Sequence, residues 1–199
     1  MRSAKLVCLL VLAAAVFAGA PAVSAGEKLK IDPEHSSVGF SVRHLFTRVQ
    51  GRFTKFSGTL EFDAKAIEAA KVSATIQAAS VDTNVAERDN DLRSKRFFDV
   101  EKFPTLDFIT TKVEKVGGQR FKVHGKLTMH GVTREVVLDA EFLGAGKDPW
   151  GNQRYGFHAA TTVDRKDFDM QWNEALETGG VLVGDDIEVV LDIEAVPAA

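Results

Sequence analysis

The side chains of this chain best suited to acid-base or metal chemistry are its histidines and one arginine-aspartate pair: His35, His44, His124, His130, His158, Arg88 and Asp89. Covalent catalysis needs a nucleophile beside a base, paired carboxylates in a cleft or a metal cluster, and each leaves recognisable local patterns. The chain has no G-x-S-x-G, no H-E-x-x-H and no phosphate-binding glycine loop. Its histidines fall on different segments without the spacing of a local metal site, although a fold could still gather them. His124 and His130 share a polar face with Lys122, Lys126 and Thr128, so both read as solvated, and His158, with Ala160, Thr162 and Asp164, has no assigned role. His44 continues the apolar face of Val38, Phe40 and Val42. Imidazole there is either a core histidine with a satisfied partner or a polar contact for a ligand head group. Arg88 and Asp89 read as a solvated helix edge, as an ion pair closing a barrel, or as a fork by which Arg88 meets an anionic or carbonyl head group.

The elements that must position these residues are mainly strands. Val38-Phe40-Val42-His44 alternates with Ser37-Gly39-Ser41-Arg43, the period of a half-buried strand. The same period recurs in Phe56–Phe62, Val72–Ala78, Leu106–Phe108, Phe121–Met129, Val136–Phe142, Phe157–Val163 and Ile187–Ile193; with Leu29–Ile31 these predict eight or nine strands. Gly117-Gly118 and His130-Gly131 read as tight hairpin turns, and no helical crossover intervenes, so an antiparallel meander is expected, as a barrel rather than a sandwich. One segment, 84–97, reads as a helix with Asn84 as cap and Glu87 completing a capping box; Phe103-Pro104 ends it. Ala64–Ala70 reads as a further short helical turn and Gly144–Asn152 as a loop.

Arg2 and Lys5, the apolar run Leu6–Ala18 and the small residues Val23-Ser24-Ala25 read as a secretory signal over 1–25, cleaved after Ala25, leaving one domain over 26–199 in the periplasm. Cys8, the only cysteine, leaves with it, which excludes disulfide and thiolate chemistry from the mature chain. Removing Arg2 and Lys5 leaves 23 basic against 28 acidic side chains, which argues against a nucleic-acid partner. Hydrophobic residues at 45% and charged residues at 27% are ordinary globular values and argue against disorder. Phenylalanine outnumbers tyrosine 14 to 1, and strand faces alternate rigid aromatics with small residues such as Gly39, Gly58, Ala74 and Ala78. An eight-stranded barrel is just wide enough to be filled or to hold one ligand, so this composition permits a cavity for a long, water-insoluble molecule.

The residues also resemble a known family. Asp32-Pro33-Glu34-His35-Ser36 through Phe40 to His44 is similar to the opening of the YceI family, a D-x-x-H-S-x-x-x-F-x-x-x-H pattern. Gly51-Arg52-Phe53, Phe56-Ser57-Gly58, Glu87-Arg88-Asp89, Leu92-Arg93-Ser94, Phe97-Phe98-Asp99-Val100, Phe103-Pro104, Gly125–Thr128, Gly131–Arg134 and Val163–Phe168 continue the likeness across the mature chain. Asp169 stands where many members carry glycine. The resemblance implies an all-β, extended, lipocalin-like antiparallel barrel of about eight strands that holds a long isoprenoid lipid or isoprenoid quinone, with no covalent cofactor. It implies a lining from Phe40, Val42, Phe56, Leu60, Ile76, Leu127, Met129, Leu138 and Phe157, with His44 and Arg88 at the polar end and Asp89 as a structural partner. The expected function is a non-enzymatic carrier or store. The alternatives are an interaction module for a membrane cytochrome of the b561 type or for a second copy of the chain, and a lipid-modifying enzyme with His44 as general base.

Overall fold

The computed structural model describes residues 26–177 and 179–198; the predicted signal over 1–25, with Cys8, lies outside the described residues. Eleven strand segments and one helix follow in order: β1 (Glu27–Ile31), β2 (Ser37–His44), β3 (Thr47–Phe53), β4 (Phe56–Phe62), β5 (Lys71–Gln77), β6 (Val81–Asp82), α1 (Ala86–Arg93), β7 (Thr105–Gly117), β8 (Arg120–Met129), β9 (Val132–Lys147), β10 (Gln153–Asp164) and β11 (Val183–Pro197). Every pairing between named strands is antiparallel, and β1 returns to β11, so the sheet closes. The segments β1 and β2 both pair with β11, β3 pairs with β2 and β6, and β4 pairs with β1 and β5. Each of the couples β1/β2, β3/β4 and β5/β6 is thus one bent strand, and the barrel has eight staves joined in sequence order, the meander expected from the sequence.

Side chains stitch the bends. Asp32 accepts from Glu34 N (3.1 Å), and Ser36 Oγ accepts from Glu194 N (2.9 Å), tying the β1/β2 break to β11. The other two breaks face each other: Thr54 N donates to Ser80 O (3.1 Å), Gln77 N to Lys55 O (2.9 Å), and Ser80 Oγ accepts from Lys55 N (3.1 Å) while donating to Gln77 O (2.7 Å). A strand interrupted at a bend would leave backbone groups unpaired, and these bonds satisfy them.

The connections β2–β3, β6–β7, β8–β9 and β10–β11 share one end of the barrel, here the upper end; β4–β5, β7–β8, β9–β10 and the C-terminus share the lower. An aromatic knot of Phe62, Phe142, Phe157 and Tyr155 packs the lower end, with Phe62 and Phe142 centroids 4.9 Å apart and Phe62 meeting Phe157 at 4.9 Å edge to face. At the upper end the long connections 83–104 and 165–182 fold inward, burying Phe168 and Met170 beside Phe53, Val81 and Leu106, and Phe97 against Trp172. The Arg96 guanidinium lies 3.9 Å from the Trp172 ring, and Phe97 meets Trp172 at 5.3 Å, so the two connections are clasped together.

Three local expectations are corrected. The helix covers only Ala86–Arg93, and Val85, not Asn84, is its N-cap. Asn84 has φ +61°, outside the extended backbone that a cap residue adopts, and its N–H donates instead to Asp82 Oδ1 (2.9 Å). β9 runs on to Lys147, which shortens the expected 144–152 loop; the helical turn expected within Ala64–Ala70 is present, as the 3-10 turn Ile67–Ala69. His130 does turn the chain into Gly131, with φ +51° and +76°, but it is not merely solvated: Nδ1–H donates to Phe168 O (3.0 Å) and the ring meets Phe103 edge to face at 4.7 Å.

Candidate functional site

The side chains with chemistry-bearing groups do not gather into a reactive centre among the described residues. His124 faces Glu114 (3.3 Å), and His158 bonds Asp192 (2.8 Å), both on the outer surface. At the β1/β2 bend the ligand-type atoms of Asp32, His35 and Glu194 do converge, all within 4.8 Å of one another. Arg154 occupies that position: Nη1 donates to Asp32 Oδ2 (2.7 Å) and Glu194 Oε1 (2.5 Å), and Nε to Asp148 Oδ2 (3.0 Å). A guanidinium among the carboxylates repels a metal ion, so this group is an ion-pair knot holding β1, β10 and β11 together at the lower end.

The knot has a pH consequence. The Asn152 side chain, with the backbone of Asn152, the Arg154 guanidinium and the N–H of Trp150, holds the Asp148 carboxyl down at about 2. Burial works against Asp32, yet hydrogen bonds from Arg154 and His35 keep it below the usual carboxylate range. A folded pKa below the unfolded value gives stability that is complete above the unfolded value of 3.8 and is lost as pH falls from there toward 2. Urea midpoints measured from pH 5 to pH 2 are therefore expected to drop, and Asp148→Asn to flatten that drop; an identical slope in the variant would remove Asp148 from the account.

The site with the size and chemistry to hold a molecule is the barrel lumen. Between the two packed ends lies a cavity of about 220 Å³, far more than a single buried water needs. It is walled by apolar side chains from every stave. Of the two ionisable residues at its border, Glu61 turns outward to Lys71 (3.1 Å) and His158 to Asp192. The inward Thr161 hydroxyl donates to Val137 O (2.8 Å) where the β9–β10 ladder ends, leaving no unsatisfied polar group there. Such a lumen accepts a hydrocarbon chain and penalises any charged group drawn into it.

Eight of the nine residues expected to line it do so: Phe40, Phe56, Leu60, Ile76, Leu127, Met129, Leu138 and Phe157. Val42 does not, because the β2–β3 hairpin climbs past the cavity and Val42 sits between Ile187 and Val49 near its tip. His44 lies two pairs further on, opposite Thr47 and Val183, and is likewise away from the lumen. Arg88 and Asp89 are a separate correction: neither reaches the cavity, and they do not pair with each other. Both bind Thr83. Asp89, 7% exposed, accepts from Thr83 N (2.8 Å) and Thr83 Oγ1 (2.5 Å); Arg88 donates from Nε to Thr83 Oγ1 (2.8 Å) and from Nη2 to Thr83 O (2.9 Å). The pair locks the backbone and side chain of Thr83. Among the lining residues not singled out from sequence are Phe98, Phe108, Val136 and the β11 row Val189, Leu191 and Ile193. The alternation of β11 was sufficient to find that row.

A closed eight-stranded meander around an apolar lumen, sealed at one end by folded-in connections, is a lipocalin-like barrel. The YceI-like domain model matches residues 29–195, and the chain belongs to the YceI family. It is 40% identical over 186 residues to Protein YceI of Salmonella arizonae, covering 93% of this chain and 94% of that one. The crystal structure of the Campylobacter jejuni YceI protein superposes with a TM-score of 0.69 at 33% identity, over 79% of this chain and 90% of that one. A polyisoprenoid binding domain from Saccharophagus degradans, implicated in plant cell wall breakdown, shares the fold with a TM-score of 0.63 at 15% identity, over 85% of this chain and 98% of that one.

Proposed function

We propose that this protein binds a long-chain isoprenoid, a polyprenyl lipid or an isoprenoid quinone, with its tail in the barrel lumen, and carries or stores it in the periplasm after removal of residues 1–25. The observation that carries the reading is the lumen itself: a long void whose wall offers hydrocarbon and no charge. Each methylene withdrawn from water into it contributes about 0.8 kcal/mol, so a tail of many isoprene units gains affinity from burial alone. The fold shared with the polyisoprenoid binding domain from Saccharophagus degradans supports the ligand class. The barrel in this reading carries out no covalent step; it withholds the tail from water and releases it unchanged.

A ligand that binds only the folded barrel stabilises it by mass action, by about 2.7 kcal/mol at a free concentration one hundred times Kd. For a domain of this size that is roughly 5–10 °C in Tm. Protein stripped by organic extraction, refolded and reloaded with solanesol is expected to recover that increment. An unchanged Tm over the whole titration, with no solanesol retained, would overturn the reading.

A further inference from the structure

We propose that Gly51 and Thr83 determine how long a chain the lumen admits, by holding the Phe40 ring flat against the barrel wall; this rests on the isoprenoid reading above. An eight-stranded barrel filled in the ordinary way by inward side chains has no lumen. Its hollowness here requires that large inward side chains lie along the wall instead of pointing to the axis.

Phe40 on β2 and Gly51 on β3 are direct partners and share the inner face. A methyl group at Gly51 would stand 2.3 Å from Phe40 Cζ, 2.8 Å from Phe40 Cε1 and 2.8 Å from Thr83 Cγ2. The inner face of the glycine is therefore the seat of the ring, bordered by the Thr83 methyl. Phe53, two residues along β3, blocks the wall on another side, with its ring centroid 5.7 Å from that of Phe40. Thr83 cannot withdraw, because it is 4% exposed and its N–H, hydroxyl and carbonyl are all engaged by Asp89 and Arg88. A side chain at Gly51 thus leaves the ring one direction to go, into the lumen, near its upper end. The three atoms nearest to a Gly51 methyl are all side-chain atoms and not backbone. At Gly125, which seats Phe108 in the same manner, the methyl would also meet Ile109 O at 2.8 Å, so Gly51 is the cleaner position to change.

The test uses the mature protein and two probes, the long isoprenol solanesol and the short isoprenol farnesol, read as the ratio of their affinities. A general loss of stability moves both affinities together; an obstruction moves the ratio. Gly51→Ala is expected to lower the solanesol-to-farnesol ratio at least about tenfold, the equivalent of two buried methylenes or more. Adding Phe40→Ala to Gly51→Ala removes the displaced ring and restores solanesol binding. Adding Thr83→Ser to Gly51→Ala, which keeps the hydroxyl for Asp89 but deletes the methyl, gives back room beside the wall and part of the ratio. A ratio unchanged in Gly51→Ala, or a double variant with Phe40→Ala that recovers nothing, overturns the proposal while leaving the isoprenoid reading intact. If wild-type protein takes up neither isoprenol, the isoprenoid reading falls, and the crystal structure of Gly51→Ala decides the rest: a Phe40 ring turned into the lumen supports the wall-seat geometry, and a ring still flat on β3 refutes it.

Discussion

Arg165→Met is expected to lower the unfolding free energy by about 3–5 kcal/mol. Arg165 is 3% exposed and donates to Gly184 O (3.0 Å), Met170 O (2.5 Å), Trp172 O (2.8 Å) and Asp185 Oδ1 (2.9 Å). Methionine matches its length and apolar stem but satisfies none of those acceptors. Lys166 still reaches Asp185 Oδ2 (2.8 Å), so the carboxylate keeps a partner and the deficit falls on the three carbonyls. Two of those carbonyls, on Met170 and Trp172, belong to the connection that carries Phe168 and Met170 into the upper core, and Gly184 O opens β11, so losing the guanidinium frees the plug from that strand as well. Guanidinium unfolding read by tryptophan fluorescence measures the change, since Trp172 sits on the same connection. A loss below about 1 kcal/mol would mean that water replaces the guanidinium at little cost.

The second large effect is on binding. Ala74 on β5 faces the cavity between Gly58 and Phe108. In Ala74→Phe a ring takes the space of roughly three or four methylenes of a bound tail, a loss of about 2.5–3 kcal/mol, or close to one hundredfold in Kd for solanesol. Lys122→Ala is the control: its ammonium lies on the outer surface, 2.6 Å from Asp139 Oδ1, and its removal should leave Kd within a factor of two or so, as for other exposed ion pairs. Overpacking costs roughly 1–3 kcal/mol of stability, so the unliganded Tm of Ala74→Phe is measured alongside. Equal losses of affinity from both variants would contradict the assignment of inner and outer faces.

The strands that the sequence displayed were those whose inner positions carry large apolar residues, because a two-residue period of hydrophobicity is visible only where such residues exist. β3 was missed for that reason: its inner face is Val49, Gly51 and Phe53, and the middle position is empty. The glycine that hid the strand is the one that seats Phe40. Alternation also says which face a residue takes but not its height along the barrel, so Phe40 was placed correctly and Val42 and His44, on the same face, were carried past the end of the lumen. The capping pattern at Asn84 and Glu87 misled because Asp82 offers Asn84 a competing turn. Arg88 and Asp89 stand out in the sequence as a solvated edge, an ion pair or a head-group contact, but nothing in their spacing points to Thr83, a few residues upstream, which both of them bind. Nothing local marks Arg165 as buried; its acceptors come from both ends of a connection whose path depends on the rest of the barrel.

The most direct test of the central claim is native mass spectrometry of the mature protein purified from its own host without detergent, with organic extraction and identification of whatever is released. The account predicts a stoichiometric isoprenoid, lost in Ala74→Phe and retained in Lys122→Ala. Bare protein that also fails to take up added solanesol would contradict it, and the lumen would then be a feature of packing and not of function.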